Sequence, residues 1–79
     1  MVELLEALLH DRFALPPLTW RGARQADGVR TAIAVCRFGH QASLSKHTIA
    51  ADGAVTPSVV CPTANCSWHE VVKLIGWEP

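Results

Sequence analysis

Apolar positions along the chain keep two different rhythms. From Met1 to Phe13, the residues Met1, Val2, Leu4, Leu5, Leu8 and Leu9 recur at the three-and-four spacing of a helical face, with Glu3, Glu6 and His10 opposite. Glu3 near the start and Arg12 near the end suit a helix dipole, and Pro16-Pro17 stops the run. The pattern predicts an amphipathic helix over residues 1–14, either docked on the domain or offered to a partner.

Beyond Leu18 the rhythm turns to alternation. Leu18–Gln25 reads as a strand weakened by Gly22, and Ala26-Asp27-Gly28 as a turn with glycine where positive φ is needed. Val29–Val35 is β-branched and reads as the returning strand. Gln41–Ile49 alternates again, with Ala42 and Leu44 on one face and Ser43, Ser45 and His47 on the other. Ala51-Asp52-Gly53 repeats the turn. Ala54–Val60 then reads as another strand, placed at an edge or bulge by Pro57. Two such hairpins predict a four-stranded antiparallel meander within residues 18–66.

The last segment returns to a helical period. Ser67-Trp68-His69-Glu70 forms a capping box, and Trp68, Val71, Val72 and Ile75 fall on one face. Gly76 suits the stop, so a helix is predicted over residues 67–76. The expected fold class is α+β: a small zinc-stabilised antiparallel sheet, ribbon-like or treble-clef-like, with a helix at each end. Residues 1–79 would form one domain.

Size makes the zinc matter. A chain of 79 residues sits near the limit at which a hydrophobic core suffices, so a cross-link is expected. Three cysteines is an odd number, which weighs against a pure disulfide framework. Cys36 and His40 open one cluster, and Cys61 and Cys66 close another. Soft donors in two short clusters, joined by a segment that folds back, suit one tetrahedral Zn2+. Four protein ligands leave no open position, so the ion would be structural. His69, three residues after Cys66, is the competing fourth ligand; His10 and His47 read as surface histidines. The plainer alternative is a buried Cys36 with Cys61 and Cys66 free or disulfide-bonded.

Catalytic motifs are only approached. His69-Glu70-Val71-Val72-Lys73 starts like the His-Glu-x-x-His of zinc proteases, but Lys73 stands where the second histidine is required. The zinc-deaminase pattern fails in both spacing and order. No phosphate-binding glycine loop is present, and a Cys36–His40 nucleophile and base is a remote alternative. No enzyme is expected.

Residues 36–77 resemble small zinc-ribbon proteins encoded by phages and prophages of actinobacteria. The resemblance rests on Cys36, Gly39-His40, Ser43-Leu44, His47-Thr48-Ile49, Asp52-Gly53, Val55, Pro57-Ser58, Val60-Cys61-Pro62, Cys66, Trp68-His69, Leu74 and Gly76-Trp77. It implies a zinc-held fold and no assigned activity. Many of that type carry a second cysteine in the first cluster, where this chain has Gly39 with His40 beside it. The fourth ligand therefore stays between His40 and His69.

Charge sorts the remaining functions. Net charge is zero, yet residues 1–18 and 48–79 each carry −2 and residues 19–47 carry +4. The basic middle, Arg21, Arg24, Arg30, Arg37 and Lys46, could present one positive face to nucleic acid, or simply be solvated. The balanced total favours a protein partner from host or phage, because phosphate-dominated binding asks for a basic domain. Nothing resembles a membrane span or secretory signal, so a cytoplasmic setting is expected, that of the host cell if phage-encoded.

Overall fold

In a computed structural model that describes residues 1–7 and 15–78, strands carry all the regular structure and no helix is present among the described residues. In chain order they are β1 Val2–Glu6, β2 Thr19–Arg24, β3 Arg30–Val35, β4 Gln41–Ser43, β5 Thr48–Ile49, β6 Val55–Thr56, β7 Val59–Val60, β8 His69–Glu70 and β9 Val72–Leu74. Five of them form one sheet in the order β4-β3-β2-β1-β9, while β5-β6 and β7-β8 are separate two-stranded pairs.

The expected N-terminal helix is replaced over Val2–Glu6 by a strand inside the large sheet. β1 runs parallel to β2, with Leu5 opposite Thr19, and parallel to β9, with Val2 opposite Val72 and Leu4 opposite Leu74. Its alternation is what the fold uses: Leu4 is fully buried, whereas Leu5 is 61% exposed. A helical face would have buried both. Residues 8–14 of the expected helix lie outside the described residues.

The expected helix over 67–76 is likewise a correction. His69–Glu70 pairs antiparallel with Val59–Val60, and Val72–Leu74 lies along β1. Trp68, Val72 and Leu74 are buried, but Val71 is half-exposed, which breaks the helical face. The capping box is a signal of a few residues. Here the open edges of β7 and β1 offer main-chain partners, and the β-branched pair Val71-Val72 favours the extended form. Gly76, expected as the stop of that helix, takes a positive φ of 87° in the turn after β9.

The predicted turns form as expected. Gly28 and Gly53 take φ of 87° and 94°, and Asp27 and Asp52 each accept the amide two residues on, at 3.0 Å. The four-stranded meander shrinks to three strands, β2-β3-β4, and the sheet is mixed because β1 joins it in parallel. The single strand expected over 54–60 is split at Pro57, whose preceding peptide bond is cis.

One face of the large sheet gathers the core. Leu4, Trp20, Ala32, Ala34, Ala42, Val72 and Leu74 bury together, and Val55, Val59 and Trp68 close over them from the small pairs. Cys36 and Cys61 belong to the same cluster, so the metal-ligand candidates grow from the edge of the core. Trp20 is fully buried and its Nε1 donates to the Ile75 carbonyl at 2.9 Å, fixing the turn after β9.

Candidate metal centre

Each ligand pair occupies the tip of a β-connection. Cys36 follows β3 directly and His40 precedes β4, so residues 36–40 are the β3–β4 turn. The turn is closed by the Cys36 amide on the His40 carbonyl, at 2.9 Å, and by the Gly39 amide on the Cys36 carbonyl, at 2.9 Å. Gly39 supplies the positive φ of 88° that this return needs. Residues 61–66 form the matching tip between β7 and β8, held by the Cys61 amide on the Trp68 carbonyl and the Cys66 amide on the Thr63 carbonyl, both at 3.0 Å.

The two tips converge. The ligand atoms of Cys36, His40, Cys61 and Cys66 all lie within 4.8 Å of one another. His40 Nδ1 is 3.5 Å from Cys36 Sγ and 3.7 Å from Cys61 Sγ, and the Cys36 and Cys66 sulfurs are 4.0 Å apart. Zinc–sulfur bonds of about 2.3 Å and zinc–nitrogen bonds of about 2.0–2.1 Å, at tetrahedral angles, require S···N near 3.6 Å and S···S near 3.8 Å. These three separations match that demand within a few tenths of an ångström, and the remaining ones stay within 4.8 Å. The four residues could therefore hold a metal ion.

A main-chain amide lies at each of the three sulfurs. The Phe38 amide donates to Cys36 Sγ at 3.3 Å. Burial pushes the Cys61 thiol up, but the Thr63 amide and hydroxyl, with Cys66 and His40, outweigh it and bring the thiol down to about 7. At Cys66 the Trp68 amide pulls downward. Burial and the neighbouring Cys61 and Cys36 outweigh that amide and hold the thiol above its ordinary value. In each case the donated amide lies two residues beyond the cysteine. Phe38 and Trp68 thus serve the site through their backbones and Thr63 through both its amide and its hydroxyl, and the only sequence signal for them was their place two residues after each cysteine.

Comparison of the chain with known protein families, curated proteins and solved structures finds no match.

His69 stands apart from the cluster. It is exposed on β8, and its Nε2 meets Ser58 Oγ at 2.5 Å. Of the two histidines expected at the surface, His47 is half-buried: its Nε2 faces the Ser58 carbonyl at 3.3 Å and its Nδ1 is buried without a partner. His10 lies outside the described residues. The basic residues do not share one face. Arg24 and Arg30 face each other across β2 and β3, Arg21 pairs with Ile33 three register steps away and so on the opposite face, and Arg37 lies in the first ligand turn.

Proposed function

We propose that the protein is a non-catalytic zinc-binding module whose surface engages a protein partner. The observation that carries this reading is the convergence of Cys36, His40, Cys61 and Cys66 from two β-turns to within 4.8 Å of one another. Three thiolates and one imidazole form a soft donor set suited to Zn2+. With four protein ligands the ion has no vacant position for water or substrate, and its contribution is to fold. Those four side chains hold the ion, and the three amides steady the thiolates.

Support for a protein partner comes from apolar side chains left outside on the segments that bear the ligands. Phe38 is 61% exposed within the first turn, Val60 is 58% exposed immediately before Cys61, and Val71 is 50% exposed just beyond β8. A metal end dressed with exposed apolar groups suits a protein contact better than a phosphate surface.

Elemental analysis of purified protein tests the metal. One zinc per chain is expected, with cooperative unfolding on addition of a strong chelator. A metal-free chain of unchanged stability overturns the reading.

A further inference from the structure

We infer that the β2–β3 hairpin carries a phosphate-binding site built from Arg24 and Arg30. Their register is the starting point: Arg24 and Arg30 are cross-strand partners, so both side chains leave the same face of the hairpin. Like charges in direct cross-strand register are unfavourable by themselves. Among the described residues, neither guanidinium has a carboxylate within ion-pair distance.

Both guanidiniums are instead held in place by uncharged groups. Arg24 Nη1 donates to the Gly28 carbonyl at 3.1 Å. The Arg30 guanidinium carbon lies 4.4 Å from the centre of the Trp77 ring. Trp77 in turn packs on Trp20, ring centres 5.8 Å apart, and Trp20 is fully buried. Arg30 is thereby anchored to the core with the edges of its fork uncommitted. Such placement lowers the ordering cost that a flexible arginine would meet on binding.

The space between them is shaped by a missing side chain. Gly22, Ala23, Arg24 and Arg30 line a shallow concavity of about 240 Å3, and a Cβ on Gly22 would meet nothing within 4 Å. That volume lies below the roughly 300 Å3 at which drug-sized pockets begin, so it suits one small anionic group and not a large cofactor. Two guanidinium forks with donors to spare match the several acceptor oxygens of a phosphate, which two carboxylate oxygens would satisfy less fully. Asp27, the acid nearest in sequence, is committed to the Val29 amide at 3.0 Å, and Glu78, next to Trp77, is exposed. The inference does not depend on the protein-partner reading.

The test uses the full chain supplied with equimolar zinc, isotopically labelled at the arginine side chains. Inorganic phosphate is titrated while the Nε–H resonances of Arg24 and Arg30 are followed, with sodium chloride and sodium acetate at matched ionic strength as controls. Saturable shifts at these two arginines with phosphate alone are expected. Arg24→Gln and Arg30→Gln should each weaken binding about tenfold or more, the loss of a charge-assisted hydrogen bond, while Arg37→Gln leaves it unchanged. Shifts that chloride or acetate reproduce overturn the proposal, and this arm needs no variant to fold. A ten-nucleotide oligothymidylate distinguishes the source of the phosphate. Binding lost in the two variants, with a log–log salt slope near −1.4 for two single-strand phosphates, supports a nucleic-acid backbone. A response to inorganic phosphate with no competition from the oligonucleotide supports a small phosphate ester. Oligonucleotide binding indifferent to both variants, without a phosphate response, overturns the site.

Discussion

Single residues decide whether the two ligand turns close. His40 directs Nδ1 between Cys36 and Cys61, whereas His69 spends its Nε2 on Ser58. Loss of groups that merely orient metal ligands commonly costs about 10–100-fold in affinity, so removing a ligand should cost more. Metal competition assays on His40→Ala should show a loss exceeding about 100-fold, and His69→Ala should stay within about threefold of the parent. The opposite order would transfer the fourth position to His69. Glycines offer a second contrast at this scale. Gly53 and Gly28 share positive φ, but a Cβ on Gly53 would strike the Leu74 carbonyl oxygen, while one on Gly28 meets open space. Gly28→Ala should cost about 1–2 kcal/mol, the backbone penalty alone. Gly53→Ala should cost about 3 kcal/mol or more, because the contact with Leu74 cannot relax without moving β9. Equal midpoint shifts in urea for the two would refute the close approach.

At the scale of elements, β1 is the strand to question. It is hydrogen-bonded on both sides, to β2 and β9, although it comes first in the chain. Only the Leu4 side of β1 meets the core, so Leu4→Ala should cost about 2–5 kcal/mol and Leu5→Ala under about 1. Comparable losses at both positions would restore a helical face. Trp68 gives the matching test at the other end of the chain. It is 5% exposed, stands next to β8 and accepts the Cys61 amide through its carbonyl. Truncation to Ala should cost about 3–5 kcal/mol. A loss under about 1 kcal/mol would mean that the segment from Trp68 to Leu74 is not packed as described.

Across the whole molecule, a metal at this site would join parts that short strands alone hold weakly. β7 and β8 are two residues each, and their pair lies outside the five-stranded sheet. Through a bound ion, Cys61 and Cys66 would tie that pair to Cys36 and His40, next to β3 and β4, across a span that includes the β5-β6 hairpin. Structural zinc contributes on the order of 10 kcal/mol, comparable to the total stability of a small domain. Chelation should therefore abolish the cooperative transition of the chain, measured by tryptophan fluorescence, and zinc should restore it. The same samples should show a β-type far-ultraviolet circular dichroism spectrum throughout the folded range, without a helical double minimum.

The division between sequence and tertiary structure follows the range of each signal. Cysteine and histidine spacing, the Ala-Asp-Gly turns and the strands around them are written within a few residues, and each is recognisable where it stands. The ligand atoms of Cys36, His40, Cys61 and Cys66 do come together, and Gly28 and Gly53 do take left-handed φ. The two end segments were decided elsewhere. Val2-Glu3-Leu4-Leu5-Glu6 satisfies a helical period and a strand period equally over so short a run. What selects the strand is a gap between β2 and β9 whose unpaired amides and carbonyls need a partner. Ser67–Glu70 carries a genuine capping signal, but such a cap contributes only about 1 kcal/mol. Burial of Trp68, Val72 and Leu74 beside main-chain pairing with β7 and β1 outweighs it, and the pairing with β1 joins residues seventy positions apart, such as Val2 and Val72.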